Sequence, residues 1–198
     1  REIFPDISVS TELSSQIKFV PRAETTVVNA YLSPIINSYL NKISEKLDSD
    51  FLVMTSAGNL VKSNHFHPKD SLLSGPAGGI VGAANIAQKS CFDKIISFDM
   101  GGTSTDVARY DGDFDYKSEI SIGSANIFSP ALSIETVAAG GGSVCSFDGY
   151  KLTVGPESAG SSPGPACYGA GGPLTITDVN LLLGRLDASQ FSIPIYSN

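Results

Sequence analysis

A chain of 198 residues with 41 % hydrophobic content can bury a sizeable core and falls among globular rather than disordered sequences. Its net charge of −7, from 20 acidic against 13 basic residues, argues against a nucleic-acid partner, because a phosphate backbone calls for a basic stripe and the lysines and arginines form none. No apolar run approaches the roughly 20 residues that span a bilayer, and the opening residues carry no signal-peptide pattern, so the sequence reads as soluble, without a membrane partner.

Glycine (20) and proline (11) follow no fixed period, which rules out collagen-like and solenoid architectures. Cys91, Cys145 and Cys167 are odd in number and form no C-x-x-C pair, so neither a disulfide framework nor a zinc site is signalled, and a reducing cytoplasm is expected. The chain opens on Arg1 rather than methionine and reads as a piece of a longer protein.

In chain order, apolar residues at Val28, Leu32, Ile35, Ile36, Tyr39, Ile43 and Leu47 form the stripe of an amphipathic helix over residues 24–47. Thr25 or Thr26 is the expected cap, and Pro34 should kink the helix or push its start later, since proline cannot donate the i→i−4 bond. "DFLVMTSAG" reads as a short buried strand ending in a loop, followed by the polar "KSNHFHPKD". His65 and His67 there would share one face of a strand, as metal ligands do, but no third ligand is visible and surface loop histidines are expected. "SGPAGGIVGAANIAQK", residues 74–89, reads as a helix in which Gly78, Gly79 and Gly82 each cost about 1 kcal/mol against alanine. Two readings stay open: close approach of another backbone or a ligand, or a tightly packed core helix with a glycine-rich entry. No G-x-G-x-x-G dinucleotide fingerprint aligns on these glycines.

"DKIISFD" is an apolar run of strand length, and "DVARYDGDFDYKSEISIG" continues as two more strands around a turn near Asp111–Asp113, which predicts a meander. After "SPALSIETVAAGGGS", the segment "VCSFDGYKLTV" predicts a hairpin with Asp148-Gly149 as a two-residue type I′ turn. The 19 residues "GPESAGSSPGPACYGAGGP" are too rich in glycine and proline for regular structure and too long for an ordinary connection, so a functional loop is expected. "TITDVNLLLGRL" closes the chain as a helix, with Thr177 as N-cap and Asp178 near the positive end of its dipole.

The chemistry concentrates in "DMGGTSTD", Asp99 to Asp106. A strand delivering Asp99, followed by Gly101 and Gly102, lets consecutive N–H groups converge on an anion. Thr103, Ser104 and Thr105 add hydroxyl donors, and Asp99 could hold a hydrated Mg²⁺, which takes one or two carboxylates when phosphates supply further oxygens. A nucleotide triphosphate meets these requirements; a tight hairpin whose Thr and Asp side chains satisfy its own backbone is the alternative. Cys167 has no histidine near it in sequence and is expected to be a buried, inert thiol. Neither a G-x-S-x-G elbow nor H-E-x-x-H occurs.

A small-residue helix, then strand–Asp–Gly–Gly–Thr, then a meander resembles the second lobe of the actin-like ATPase superfamily. The stretch "SIETVAAGGGSVCSFDGYKLTVGPESAGSSPGPACYGAGGPLTITDVNLLLGRL", together with "TTVVNAYL" and "LLSGPAGGIVGAA", resembles the hydantoinase A and 5-oxoprolinase family over nearly the whole chain. The resemblance implies an α/β, actin-like (ribonuclease H-like) ATPase fold, partial, with a mixed sheet, hairpins and flanking helices. Residues 1–74 would end a first lobe, 75–90 would form a hinge helix, and 91–198 would begin a second lobe. Family members use ATP to open cyclic amides such as hydantoins and 5-oxoproline, and acetone carboxylase relatives use it to activate a carboxylation. By that analogy residues 101–103 cradle phosphate, Asp99 anchors Mg²⁺, and Asp106 orients a water or a lysine. Gly140, Gly141 and Gly142 would approach the nucleotide or substrate, unless they only turn the chain into the following hairpin. Glu157 and Ser158 would contact the cyclic substrate or a partner, and a B-type subunit or fused half is implied. Two departures stand out: Ser133 occupies a position where the family carries aspartate, and only one D-x-G-G-T-x-T-D loop is present where the family has two. The piece alone is therefore expected to bind nucleotide feebly. A non-catalytic, actin-like nucleotide switch or scaffold is the rival expectation.

Overall fold

The computed structural model describes residues 3–4, 6–47 and 49–190. After the short α1 (Ser10–Leu13), helix α2 (Phe19–Ser44) begins ahead of the predicted start, at Phe19. Pro21 permits this, because it lies in the first turn, where backbone N–H groups have no helical acceptor to lose. Thr25 and Thr26 are therefore not caps: they lie inside the helix and donate their hydroxyls back to the carbonyls of Pro21 and Arg22, both at 2.7 Å. Pro34 is accommodated within the helix without ending it.

The buried face of α2 also differs from the predicted apolar stripe. It carries Thr25, Asn29, Ser33 and Leu40, while Ile35 and Tyr39 are 65 % and 61 % exposed. Buried hydroxyls and amides are tolerated when every polar atom finds a partner. The Thr25 hydroxyl accepts the Phe128 amide at 2.8 Å, and Asn29 accepts the Lys69 amide at 3.0 Å while donating to the Ser8 hydroxyl at 3.0 Å.

Strands β1 (Leu52–Met54) and β2 (Leu60–Lys62) form a hairpin with Val53 opposite Val61. Two single-turn 3₁₀ helices, Ser63–His65 and Pro68–Ser71, follow, and His65 and His67 are exposed, as expected of loop histidines. Helix α3 (Ser74–Lys89) forms over the predicted residues and buries Ala77, Ile80, Ala84 and Ala87. No other part of the chain crowds Gly75, Gly78 or Gly82: a Cβ added at Gly75 or Gly82 would meet nothing within 4 Å, and one at Gly78 only Met54 Cγ at 4.0 Å.

The remaining strands are β3 (Lys94–Met100), β4 (Thr105–Asp111), β5 (Tyr116–Lys117), β6 (Ile120–Ile122), β7 (Ala125–Ile127), β8 (Ala131–Leu132), β9 (Ile134–Val137), β10 (Ser143–Phe147) and β11 (Leu152–Ser158). The predicted meander does not extend past β4. The neighbours of β4 are β3 and β9, whereas β5 pairs with β8 and β6 with β7. The turn at Asp111–Asp113 forms, with the Asp111 amide donating to the Asp113 carbonyl at 3.3 Å and Gly112 at φ +79°. It leads to β5, and the third place in the sheet is left to a strand more distant in sequence.

Antiparallel β10 and β11 confirm the hairpin but not its turn type. Phe147 pairs with Leu152, leaving a four-residue connection, and the Asp148 carboxylate accepts the amides of Tyr150 and Lys151, both at 2.9 Å. Those bonds, from Lys151 and then Tyr150, hold the Asp148 carboxyl below its ordinary range. This is an aspartate side chain mimicking a turn, with Gly149 supplying a φ of +97°. Strand β11 runs on to Ser158, taking the first residues of the predicted irregular loop. Helix α4 (Ile176–Leu182) starts two residues earlier than expected: Thr175 is its N-cap, in a reciprocal capping box with Asp178, and Thr177 lies in the first turn.

The chain divides into two compact units. The first, Arg1–Ser97 with Ala108–Ile134, has two apolar centres. In one, Ala77, Ile80 and Ala84 of α3 pack with Ala108, Tyr110 and Leu132, flanked by Val81, Ile95, Phe114 and Ile134. In the other, Ile120, Ile127 and Ala131 pack with Val28, Leu72 and Leu73. A fully buried isoleucine such as Ile127 contributes about 1.5–3 kcal/mol. The second unit is Phe98–Val107 with Glu135–Asn198, of which residues up to 190 are described. Among the described residues no helix is long and apolar enough to cross a membrane.

Candidate functional site

The second unit holds the aspartate–glycine turn. Strand β3 carries Asp99 close to its end, the chain turns over residues 101–104, and β4 resumes at Thr105. The turn is closed by the Gly101 amide donating to the Ser104 carbonyl at 2.9 Å. Asp99 is exposed, and its carboxylate has no hydrogen-bond or ion-pair partner among the described residues.

A second glycine loop lies against the first. The Gly141 amide donates to the Gly101 carbonyl at 2.9 Å, and the Gly142 amide to the Gly102 carbonyl at 2.6 Å. In a planar trans peptide the C=O and the following N–H point in opposite directions. With both carbonyls turned toward residues 141 and 142, the N–H groups of Gly102 and Thr103 are turned away from that loop. Gly102 and Thr103 are exposed, and neither amide finds an acceptor among the described residues. Two consecutive free amides on one side of a turn are donors that a single anion could accept together.

The other expected site residues divide by what they touch. The Thr105 hydroxyl is buried and donates to the Ala139 carbonyl at 2.5 Å, while Thr103 is exposed and Ser104 half-buried. One oxygen of Asp106 accepts the Thr136 hydroxyl at 2.6 Å. Thr136, thirty positions away in sequence, gave no signal of its own there. Gly140 and Gly142 are buried against the first loop. Glu157 and Ser158 are exposed, and the Ser158 hydroxyl accepts the Gly160 amide at 3.2 Å. In the first unit, Ser133 is half-buried and its amide donates to the Asp115 carbonyl at 2.8 Å.

Cys167 is no nucleophile at neutral pH. Burial, and then the neighbouring Asp178 carboxylate, push its thiol up to about 11, so the reactive thiolate is scarce. Cys145 is raised for the same two reasons. Asp178 itself escaped the sequence reading as an organising residue; the capping-box spacing from Thr175 could have marked it. Among the described residues no group of three or more His, Cys, Asp or Glu side chains is placed to hold a metal. An ion at Asp99 would therefore have to share its coordination with phosphate and water, which is the habit of Mg²⁺.

A family profile described as Hydantoinase/oxoprolinase matches residues 22–195. The chain is 50 % identical over 197 residues to 5-oxoprolinase of Saccharomyces cerevisiae, an alignment covering 94 % of this chain and 15 % of that protein. The crystal structure of ATP-dependent caprolactamase from Pseudomonas jessenii superimposes with a TM-score of 0.76 at 34 % identity, covering 96 % of this chain and 29 % of that one. The nucleotide-free structure of acetone carboxylase, from work on ATP-dependent acetone carboxylation, gives a TM-score of 0.78 at 28 % identity, over 94 % and 28 % of the two chains. The α/β architecture is shared with both solved structures. The chain spans less than a third of the length of each of these proteins.

Proposed function

Since the chain belongs to the hydantoinase/oxoprolinase family, we propose that it forms part of an ATP-dependent enzyme that hydrolyses a cyclic amide, with the turn after β3 as its phosphate-binding loop. The observation that carries this reading is the pair of unengaged amides at Gly102 and Thr103 beside the unpaired Asp99 carboxylate. The names of the similar proteins support it, since oxoproline and caprolactam are both cyclic amides and the caprolactamase is called ATP-dependent.

The donor set fits a triphosphate tail with Mg²⁺: two amides and the Thr103 hydroxyl for phosphate oxygens, one carboxylate for a hydrated metal. ATP, when bound, supplies the phosphoryl group that makes an amide oxygen a leaving group. This chain's own work is positioning and charge neutralisation. The Gly102 and Thr103 amides bind and orient, and their preset direction avoids reorganisation as charge develops. Asp99 holds the metal. Asp106, fixed on one oxygen by Thr136, keeps the other to orient a water or a lysine. In this reading Ser104 belongs to the same turn, Thr105 and Gly140–Gly142 support it from behind, the actin-like ATPase resemblance supplies the lobe arrangement, and a B-type subunit or fused half completes hydrolysis. Three free thiols suit a reducing, cytoplasmic setting.

The test is ADP release by the full-length protein with 5-oxoproline or a hydantoin added. The cyclic amide should stimulate release, and Asp99→Asn should lower it about 10²-fold or more, as loss of a transition-state electrostatic contact does. ADP release indifferent to every cyclic amide, or unimpaired in Asp99→Asn, would refute the assignment.

A further inference from the structure

Gly140, Gly141 and Gly142 are three consecutive glycines whose backbone does not need glycine, for none has the positive φ that L side chains avoid. Space is what they lack. A Cβ on Gly140 would lie 2.6 Å from the Gly102 carbonyl oxygen, 2.7 Å from its carbon and 2.8 Å from the Gly101 oxygen. On Gly142 it would lie 2.9 Å from the Gly102 oxygen, and on Gly141 2.7 Å from the Thr177 hydroxyl. Backbone carbonyls cannot swing aside as a side-chain tip can. A methyl at residue 140 therefore has to displace the peptide planes that carry the Gly102 and Thr103 amides.

The loop is also held from two directions. In front, the Thr105 hydroxyl and the Gly101 and Gly102 carbonyls bind Ala139, Gly141 and Gly142. Behind, Thr177 in the first turn of α4 donates both its amide, at 2.7 Å, and its hydroxyl, at 2.9 Å, to the Gly141 carbonyl. Within residues 140–143 the Gly140 amide donates to the Ser143 hydroxyl at 2.9 Å and the Ser143 amide to the Gly140 carbonyl at 3.0 Å, so the segment is a closed turn.

The geometry points to residues 140–142 and Thr177 as positioning residues: a backstop that sets the direction of the Gly102 and Thr103 amides without touching the ligand. This rests on the phosphate-loop reading above and gives that site a second layer reaching to α4. Rotating a peptide plane re-aims its N–H as it moves its C=O, so a bond made at Thr177 governs donors two loops away.

Calorimetric titration of the full-length protein with ATP–Mg²⁺ and with AMP tests the role. Thr177→Val removes the hydroxyl bond while keeping shape, and should raise the Kd for ATP–Mg²⁺ about three- to tenfold, the usual worth of one hydrogen bond. The affinity for AMP, which lacks the outer phosphates, should not change. Thr177→Ser keeps the hydroxyl and should restore binding to within about twofold of the parent. Gly140→Ala should weaken ATP–Mg²⁺ more than Thr177→Val does; if it does not fold, the Thr177 pair decides. Parent-like ATP–Mg²⁺ affinity in Thr177→Val, or equal losses for ATP and AMP, overturns the positioning role and leaves the phosphate loop standing. A parent protein that binds no ATP–Mg²⁺ overturns the phosphate loop itself.

Discussion

Four donors converge on the Asp178 carboxylate: the amides of Ala166, Cys167 and Thr175 at 3.2, 2.7 and 2.7 Å, and the Thr175 hydroxyl at 2.9 Å. Burial alone would raise this carboxyl, but the bonds from Cys167 and Thr175 together outweigh it and hold it below its ordinary value. One side chain thus caps α4 and ties down the 3₁₀ turn Ala166–Tyr168. A depressed folded-state value means the stabilisation is complete above the ordinary carboxylate range and is lost as pH falls through the folded value. Asp178→Asn should destabilise by about 2–3 kcal/mol at neutral pH, since an amide donor then faces backbone donors. It should also flatten the acid limb. Urea unfolding of parent and variant across pH 7 to about 3 measures both effects, and the gap between the two should narrow toward the acid end.

Helix α2 reverses the usual division between a helix's faces. Thr25, Asn29 and Ser33 are buried, whereas Val27, Tyr31, Ile35 and Tyr39, four residues apart in turn, are each more than 60 % exposed. Hydropathy periodicity cannot foresee this, because it assumes that apolar residues face inward. Asn29 is placed by its hydrogen bonds to Lys69 and Ser8. Asn29→Leu, a change that hydropathy alone would favour, should lower stability by about 1–3 kcal/mol by stranding the Lys69 amide, as thermal unfolding would register. Helix α3 behaves in the ordinary way, and its predicted span agrees with the structure. There the buried positions Ala77, Ile80, Ala84 and Ala87 repeat at helical spacing, so the local pattern and the packing carry the same information.

At the scale of the whole chain, the excess of acid over base acts independently of fold. With a pI near 4.7 and no basic stripe, the chain should be least soluble near that pH and more soluble on either side. Turbidity against pH follows the first expectation, and an unshifted duplex-DNA band in a gel at physiological salt follows from the same charge. The architecture adds what charge does not. Both units are assembled from two separate stretches of sequence, since residues 98–107 group with 135–198 while 108–134 group with 1–97.

What the sequence determined by itself is what depends on near neighbours and on long motifs: helix α3, strand β3 with Asp99 near its end and two glycines after it, the β10–β11 hairpin, and membership of the hydantoinase/oxoprolinase family. Periodicity and turn chemistry are local, so they survive being read along a line. Only the tertiary structure decided that β9 completes the β3–β4 sheet, that Thr136 holds Asp106, and that Gly140–Gly142 press on Gly101–Gly102. These contacts join residues distant in sequence, and all but the side-chain bond from Thr136 to Asp106 rely on backbone groups that every residue possesses, such as the Ala139 carbonyl that accepts the Thr105 hydroxyl. A carbonyl oxygen carries no sequence signature, so its partner is chosen by where the fold brings the chain back upon itself.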